Sequence, residues 1–222
     1  MNRMTLIIPA VLLLAAPVAA RELTQETVAA WNAYVARTSD RPARPGSAPR
    51  GEMIDIPGGT IYHSSGSTVI RRTTVDRVVQ ALMYPGTPPP QDDVLESRVL
   101  ARNGNTLRVY LKLARSAGVT VVYDTEHQVT FMRHSPTMAT SRSVSTRIAE
   151  HDGADRGFLW RLNSYWRYTQ VGSDVRVDLE SLSLGRTVPR IARPVARPLI
   201  DRIARESLSR TLLSVQRFLE AV

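Results

Sequence analysis

Residues 197–222 read RPLIDRIARESLSRTLLSVQRFLEAV, and the spacing within this stretch decides the fold. Ile200, Ile203, Ala204, Leu208, Thr211, Leu212, Val215, Phe218 and Leu219 recur every third or fourth residue, which winds them onto one side of a long α-helix. That side must be buried. Asp201 with Arg205 and Glu206 with Arg210 form four-residue charge pairs expected on the opposite face. Each is worth a few tenths of a kcal/mol, so docking and not surface charge holds the helix in place.

The partner for that face lies immediately upstream, where the apolar period drops from 3.6 to two. Leu107, Val109, Leu111 and Leu113 alternate with Arg108, Tyr110 and Lys112 after the hairpin signal Asn103-Gly104-Asn105. Val121, Tyr123, Thr125, His127, Val129 and Phe131 share one face of a longer strand, with Asp124 and Glu126 on the other. Val144, Thr146 and Ile148 mark a more polar strand. The next is predicted to carry Phe158, Trp160, Leu162, Ser164, Trp166 and Tyr168 on a single face. Val175, Val177 and Leu179 follow the Gly172-Ser173 turn, and the phase then slips to Leu182 and Leu184, as a bulge near Glu180 would cause. Arg161 and Arg167 are expected to pair across this hairpin with Asp178 and Glu180.

Short turns between long strands give an antiparallel meander with one greasy face. A ten-residue strand spans about 33 Å and the last helix about 39 Å, so one helix can lie along the sheet. The fold class is α+β, a curved antiparallel sheet packed on a long C-terminal helix. Two or three short strands, separated by Gly58-Gly59 and by Ser64-Ser65-Gly66, and a helix after Thr73 or Thr74, carrying Val75, Val78, Val79, Leu82 and Met83, open this domain over residues 52–222. Residues 21–51 hold a leading helix with Trp31 on its apolar stripe and a Pro/Arg-rich linker that would leave it loosely attached.

Residues 1–20, MNRMTLIIPAVLLLAAPVAA, have the basic start, short apolar run and small C-terminal residues of a secretory signal peptide cleaved after Ala20. The mature chain is therefore expected to be periplasmic or secreted. There is no cysteine, so stability must come from the core. Of 29 basic residues only Lys112 is lysine, and the net charge of +9 is spread among acidic neighbours, which reads as arginine bias; no nucleic acid is expected. The densest cluster, Arg186, Arg190, Arg193 and Arg197, reads either as a solvated linker into the last helix or as a peripheral contact with an anionic membrane.

The segments GGTIYHSSGSTVIRRTTVDRVVQALM, VTVVYDTEHQVTF, SRSVSTRIAE and GFLWRLNSYWRY, with VDLESLSLGRTVP before RPLIDRIARESLSRTL, resemble the START and polyketide-cyclase-like (SRPBCC) superfamily, in an exported bacterial branch. The resemblance spans residues 55–222 and implies the helix-grip fold, with a lipid, sterol or other apolar small molecule held between sheet and helix. A minority of such proteins are cyclases or hydratases, so an enzyme on an aromatic substrate is the alternative, and an envelope interaction module a third. Fold alone does not decide.

Tyr123, His127, Phe158, Trp160, Trp166 and Tyr168 are the candidate ligand-binding residues. The aromatic face lines a pocket or is ordinary core, and only an observed void separates these. His127, with a tyrosine such as Tyr123 on the same face, is the acid/base candidate, set against a hydrogen-bonded core histidine. His63, His127, His134 and His151 lack ligand spacing, and nucleophile-elbow, phosphate-loop and zinc-protease motifs are missing. No residue is assigned to catalysis, to a metal or to a cofactor.

Overall fold

The computed structural model describes residues 23–38, 49–85, 93–116, 120–188 and 193–221. The expected signal peptide, most of the linker and Arg190 lie outside the described residues, as do the side chains of Arg193 and Arg197. Among the described residues no helix is long and apolar enough to cross a membrane.

The elements run α1 (Gln25–Thr38), β1 (Arg50–Ile56), β2 (Gly59–Ile70), α2 (Val75–Met83), β3 (Val94–Asn103), β4 (Thr106–Ser116), β5 (Thr120–Ser135), β6 (Met138–Glu150), β7 (Arg161–Val171), β8 (Asp174–Arg186) and α3 (Arg193–Glu220). All eight strands form one antiparallel sheet in the order β1-β2-β8-β7-β6-β5-β4-β3. It is curved and unclosed, with β1 and β3 as its two edges. Pairing β2 with β8 closes the long loop, and every other contact in the ladder joins sequence neighbours.

Helix α3 lies on the inner face, chiefly against β2 and β1. Leu208 and Leu212 pack on Leu179 and Trp166; Val215 and Leu219 pack on Ile70, Tyr168, Val175 and Val177. Gly66 makes the approach possible, since a Cβ there would stand 3.1 Å from Leu208 Cδ2 and 3.2 Å from Leu212 Cδ1. Thr68 Oγ1 donates to Gln216 Oε1 at 2.9 Å across the same contact. The helix begins at Arg193, earlier than expected. Pro194 falls in its first turn, where a missing N–H costs little, and Pro198 lies inside the helix, where one backbone bond is left unmade; the arginine-rich stretch from Arg193 on is helix and not linker.

Helix α2 is capped by Thr74, whose side chain accepts from the Arg77 backbone N–H, and its Val75 and Val78 join the cluster around Tyr168. Helix α1 covers the opposite, outer face. Trp31 is buried there with Ile61, Trp160, Leu182 and Leu184, so this helix is firmly docked and not loosely attached. The same contact explains the phase slip in β8. No bulge interrupts its pairing with β2 or β7; the strand is apolar on both sides because Val175, Val177 and Leu179 meet α3 and α2 while Leu182 and Leu184 meet α1.

The loop before β7 crosses β8 closely, with Trp160 N–H donating to Leu184 O at 2.7 Å. A Cβ on Gly185 would sit 2.5 Å from Phe158 O, a backbone atom that cannot swing aside. Gly185→Ala is therefore expected to cost about 1–3 kcal/mol in urea unfolding, as overpacked interiors do. A change below a few tenths would show that this loop gives way freely.

Candidate functional site

The inner face has two apolar ends with a polar band between them. At one end Tyr168, Val175, Val177 and Ile70 meet the helices; at the other Leu113, Val121 and Tyr123 cluster with Val94, Leu111 and Leu162. Between them Ser64, Ser181, Ser164 and Ser143 stand side by side in register on β2, β8, β7 and β6. Trp166 Nε1 donates to Ser164 Oγ at 3.2 Å, and Ser141 Oγ and Tyr168 OH are 3.0 Å apart. Burial holds the Tyr168 phenol far above its usual pKa, so it stays a neutral hydroxyl.

His127 is buried in this band. Its Nε2 lies 3.1 Å from Thr125 Oγ1, which already donates its proton to Leu111 O at 2.9 Å. Thr125 can thus only accept, which places the imidazole proton on Nε2 and leaves Nδ1 to accept from Ser143 Oγ at 3.3 Å. Burial pulls the His127 pKa down to about 4, and its two hydroxyl partners carry no charge. At neutral pH it is a neutral hydrogen-bonding group and a weak base, which favours the core-histidine reading over acid/base chemistry.

Tyr123, His127, Trp166 and Tyr168 lie on the inner face together. Two candidates do not join them. Strand β7 begins at Arg161, so Phe158 and Trp160 belong to the preceding loop. Trp160 turns to the outer face beside Trp31, and Phe158 is 44% exposed with Arg186 stacked 4.5 Å from its ring centre. The backbone bends at Phe158 and again at Trp160, immediately before β7, which breaks the alternation that the sequence pattern extended backwards.

The outer face carries an arrangement with no local sequence signal. Tyr34 OH lies 2.7 Å from His63 Nδ1, and His63 Nε2 lies 2.6 Å from Glu180 Oε1. Burial, with Glu52 nearby, raises the Tyr34 pKa to about 12. This chain ties α1 to β2 and β8. The expected Arg161 and Arg167 pairings are replaced: Asp178 accepts from Arg176 Nε at 3.1 Å, and Glu180 is taken by His63. Asp124 and Glu126 also point outward, Asp124 to Tyr110 OH at 2.6 Å and to His151 at 2.8 Å. Hydrogen bonds from Tyr110 and His151 hold the Asp124 carboxyl below its usual pKa. Among the described residues no three His, Cys, Asp or Glu side chains converge as a metal site.

Comparison with solved structures settles the architecture. A Thermus thermophilus protein superposes with a TM-score of 0.55 at 19% identity, covering 72% of this chain and 97% of its own. A STAR-related lipid transfer protein of Xanthomonas axonopodis gives 0.51 at 17% identity over 81% and 97%. This is the START-like helix-grip fold. Human STARD10 shares the helix-grip fold at a TM-score of 0.52 and 9% identity, over 85% of this chain and 78% of that one. No family model matches the chain, and no curated protein matches it by sequence. Within the helix-grip fold, an open groove of about 500 Å³ beside Arg72, Arg77 and Gln170 lies at the start of α2 and apart from the band around His127.

Proposed function

We propose that this chain binds an apolar small molecule or lipid between the inner face of the sheet and α3. The observation that carries the reading is the uncovered part of that face. Eight strands about 4.8 Å apart span roughly 34 Å, while a helix covers about 10 Å. Helix α3 packs chiefly on β2 and β1, and α2 on β7 and β6. Among the described residues the middle of β4 and Val99 of β3 are left as apolar surface, with Val109 and Leu111 half-buried and Val99 39% exposed. Apolar area that none of the described elements covers is the lining a greasy ligand needs. The solved relative from Xanthomonas, named for lipid transfer, supports the same class of ligand.

The test is titration of a solvatochromic long-chain fluorophore into the mature chain. A blue-shifted, saturable signal at one probe per chain is expected. Val109→Arg, which sets a charge in the middle of the uncovered strip, is expected to weaken it at least tenfold while the circular dichroism stays unchanged. Undiminished binding in that variant, or no saturable binding to the wild type, contradicts the reading.

The proposal places this activity outside the cytoplasm, after cleavage behind Ala20. Intact mass of the protein from an envelope or medium fraction is expected to begin at Arg21; an uncut chain in the cytoplasmic fraction contradicts it. Peripheral contact with an anionic membrane through the arginines around residue 190 belongs to the same proposal, with co-sedimentation on anionic vesicles as its check.

A further inference from the structure

Where β3 and β4 meet α3, beside the apolar cluster of Leu113 and Tyr123, the interior is charged. Asp93 is 7% exposed. Its Oδ2 accepts from Arg115 Nη1 at 2.8 Å and from Ser207 Oγ at 2.9 Å, whereas its buried Oδ1 has no hydrogen-bond partner among the described residues. Arg210 stands one turn along α3 from Ser207, on the same side of the helix. The sequence pattern paired it outward with Glu206, but Glu206 pairs with Arg202 at 3.4 Å instead, and Arg210 Nε is buried and likewise without a partner. Arg210 and Tyr123 both bear on the charge of Arg115, so all four groups share one small region.

Two arginines face one carboxylate here, an excess of one positive charge. Glu150, beyond Tyr123, does not neutralise it, because Arg156 already pairs with that carboxylate. A buried acceptor and a buried donor left open around one arginine are costly unless something serves both. Among the described residues Arg115 donates through Nη1, to Asp93 and to the Ala114 carbonyl, which leaves the rest of its guanidinium for a further acceptor.

We propose that this cluster is the head-group site for the bound molecule, and that the head is an acid with a hydroxyl close to it. The hydroxyl donates to Asp93 Oδ1; the acid group accepts from Arg210 Nε and from the free edge of Arg115, and its charge offsets the excess. The tail then runs over Leu113, Tyr123 and Leu111 toward Val109. This assignment rests on the proposed binding of an apolar ligand and narrows it to hydroxylated long-chain acids.

The experiment is calorimetric titration of the mature chain with hexadecanoate, 2- and 3-hydroxyhexadecanoate and hexadecan-1-ol. One of the hydroxy acids is expected to bind about tenfold more tightly than hexadecanoate, with the alcohol weakest. Asp93→Asn, which keeps an oxygen for Arg115 and Ser207 but turns the open acceptor into a donor, is expected to bring the hydroxy acid down to the level of the plain acid. Arg210→Gln is expected to weaken both acids about tenfold and to leave the alcohol where it was. Equal affinities of wild type for hydroxylated and plain acids overturn the proposal, as does a preference that survives Asp93→Asn. If Asp93→Asn does not fold, acid affinities unmoved by Arg210→Gln overturn it. Should none of the four chains bind wild type, apolar-ligand binding itself falls and this site with it; binding of all four without discrimination removes the site alone.

Discussion

Replacing Leu208 and Leu212 together by alanine is expected to lower the free energy of unfolding by about 4–8 kcal/mol. Each buried leucine lost to alanine costs about 2–5 kcal/mol, and the two are neighbours on one helix face, so their effects will not add simply. Both pack on Leu179 and approach the bare backbone of Gly66. No neighbouring side chain on β2 can relax into the space, since the contact residue is a glycine. A loss of that size is comparable with the whole stability of a typical domain. Urea unfolding followed by far-ultraviolet circular dichroism reads it directly. Hydrogen exchange would add that α3 loses protection before β5 and β6 do. A loss under about 1 kcal/mol would mean that the helix is an accessory to the sheet and not its cover.

The second large effect is on acid stability. His127 titrates at about 4 in the folded chain against an ordinary value of 6.5. Between those values the unfolded chain takes up a proton that the folded chain refuses, so stability is full above pH 6.5 and falls as the pH drops towards 4. The depression of about 2.5 pH units corresponds to a loss on the order of 3 kcal/mol. His127→Gln keeps a donor and an acceptor near Thr125 and Ser143 but has nothing to titrate. The variant is expected to show a flatter dependence than wild type between pH 6.5 and 4 and the same dependence above it. Parallel curves from equilibrium urea unfolding at each pH would show that His127 is not held neutral.

These two positions also show how far one sequence carries. The α3 face is readable because its apolar residues repeat at a helical period over more than five turns, and the β4 and β5 registers because their alternation is strict. Thr74 capping α2 follows from the short polar residue before Val75. What failed did so where one element has two partners. In β8 the slip from Leu179 to Leu182 looks like a bulge to a rule that assumes one buried face, and becomes regular once Trp31 supplies the second. Trp160 reads as an inner-face residue because periodicity cannot see the bend that separates it from the start of β7. The α3 start reads late because prolines count as breakers wherever they occur, although Pro194 sits in a first turn and Pro198 is carried inside the helix.

Of the candidate site, the four aromatic and imidazole residues on the inner face were legible from alternation alone. Their hydroxyl partners were not: nothing local marks Ser143 or Thr125 as the groups that fix the His127 tautomer. The Tyr34–His63–Glu180 chain joins residues up to 146 positions apart, and Asp93 meets Ser207 across 114 residues. Such contacts exist only after the sheet has closed β2 onto β8 and α3 has folded back over both.

The central claim is that an apolar guest sits between the sheet and α3, and native mass spectrometry of the purified mature chain measures it most directly. A species one small amphiphile heavier than the polypeptide is expected, stripped by organic solvent and restored when a long-chain acid is added back at one per chain. A spectrum holding only the bare polypeptide, before and after addition of long-chain acids and alcohols, would contradict it.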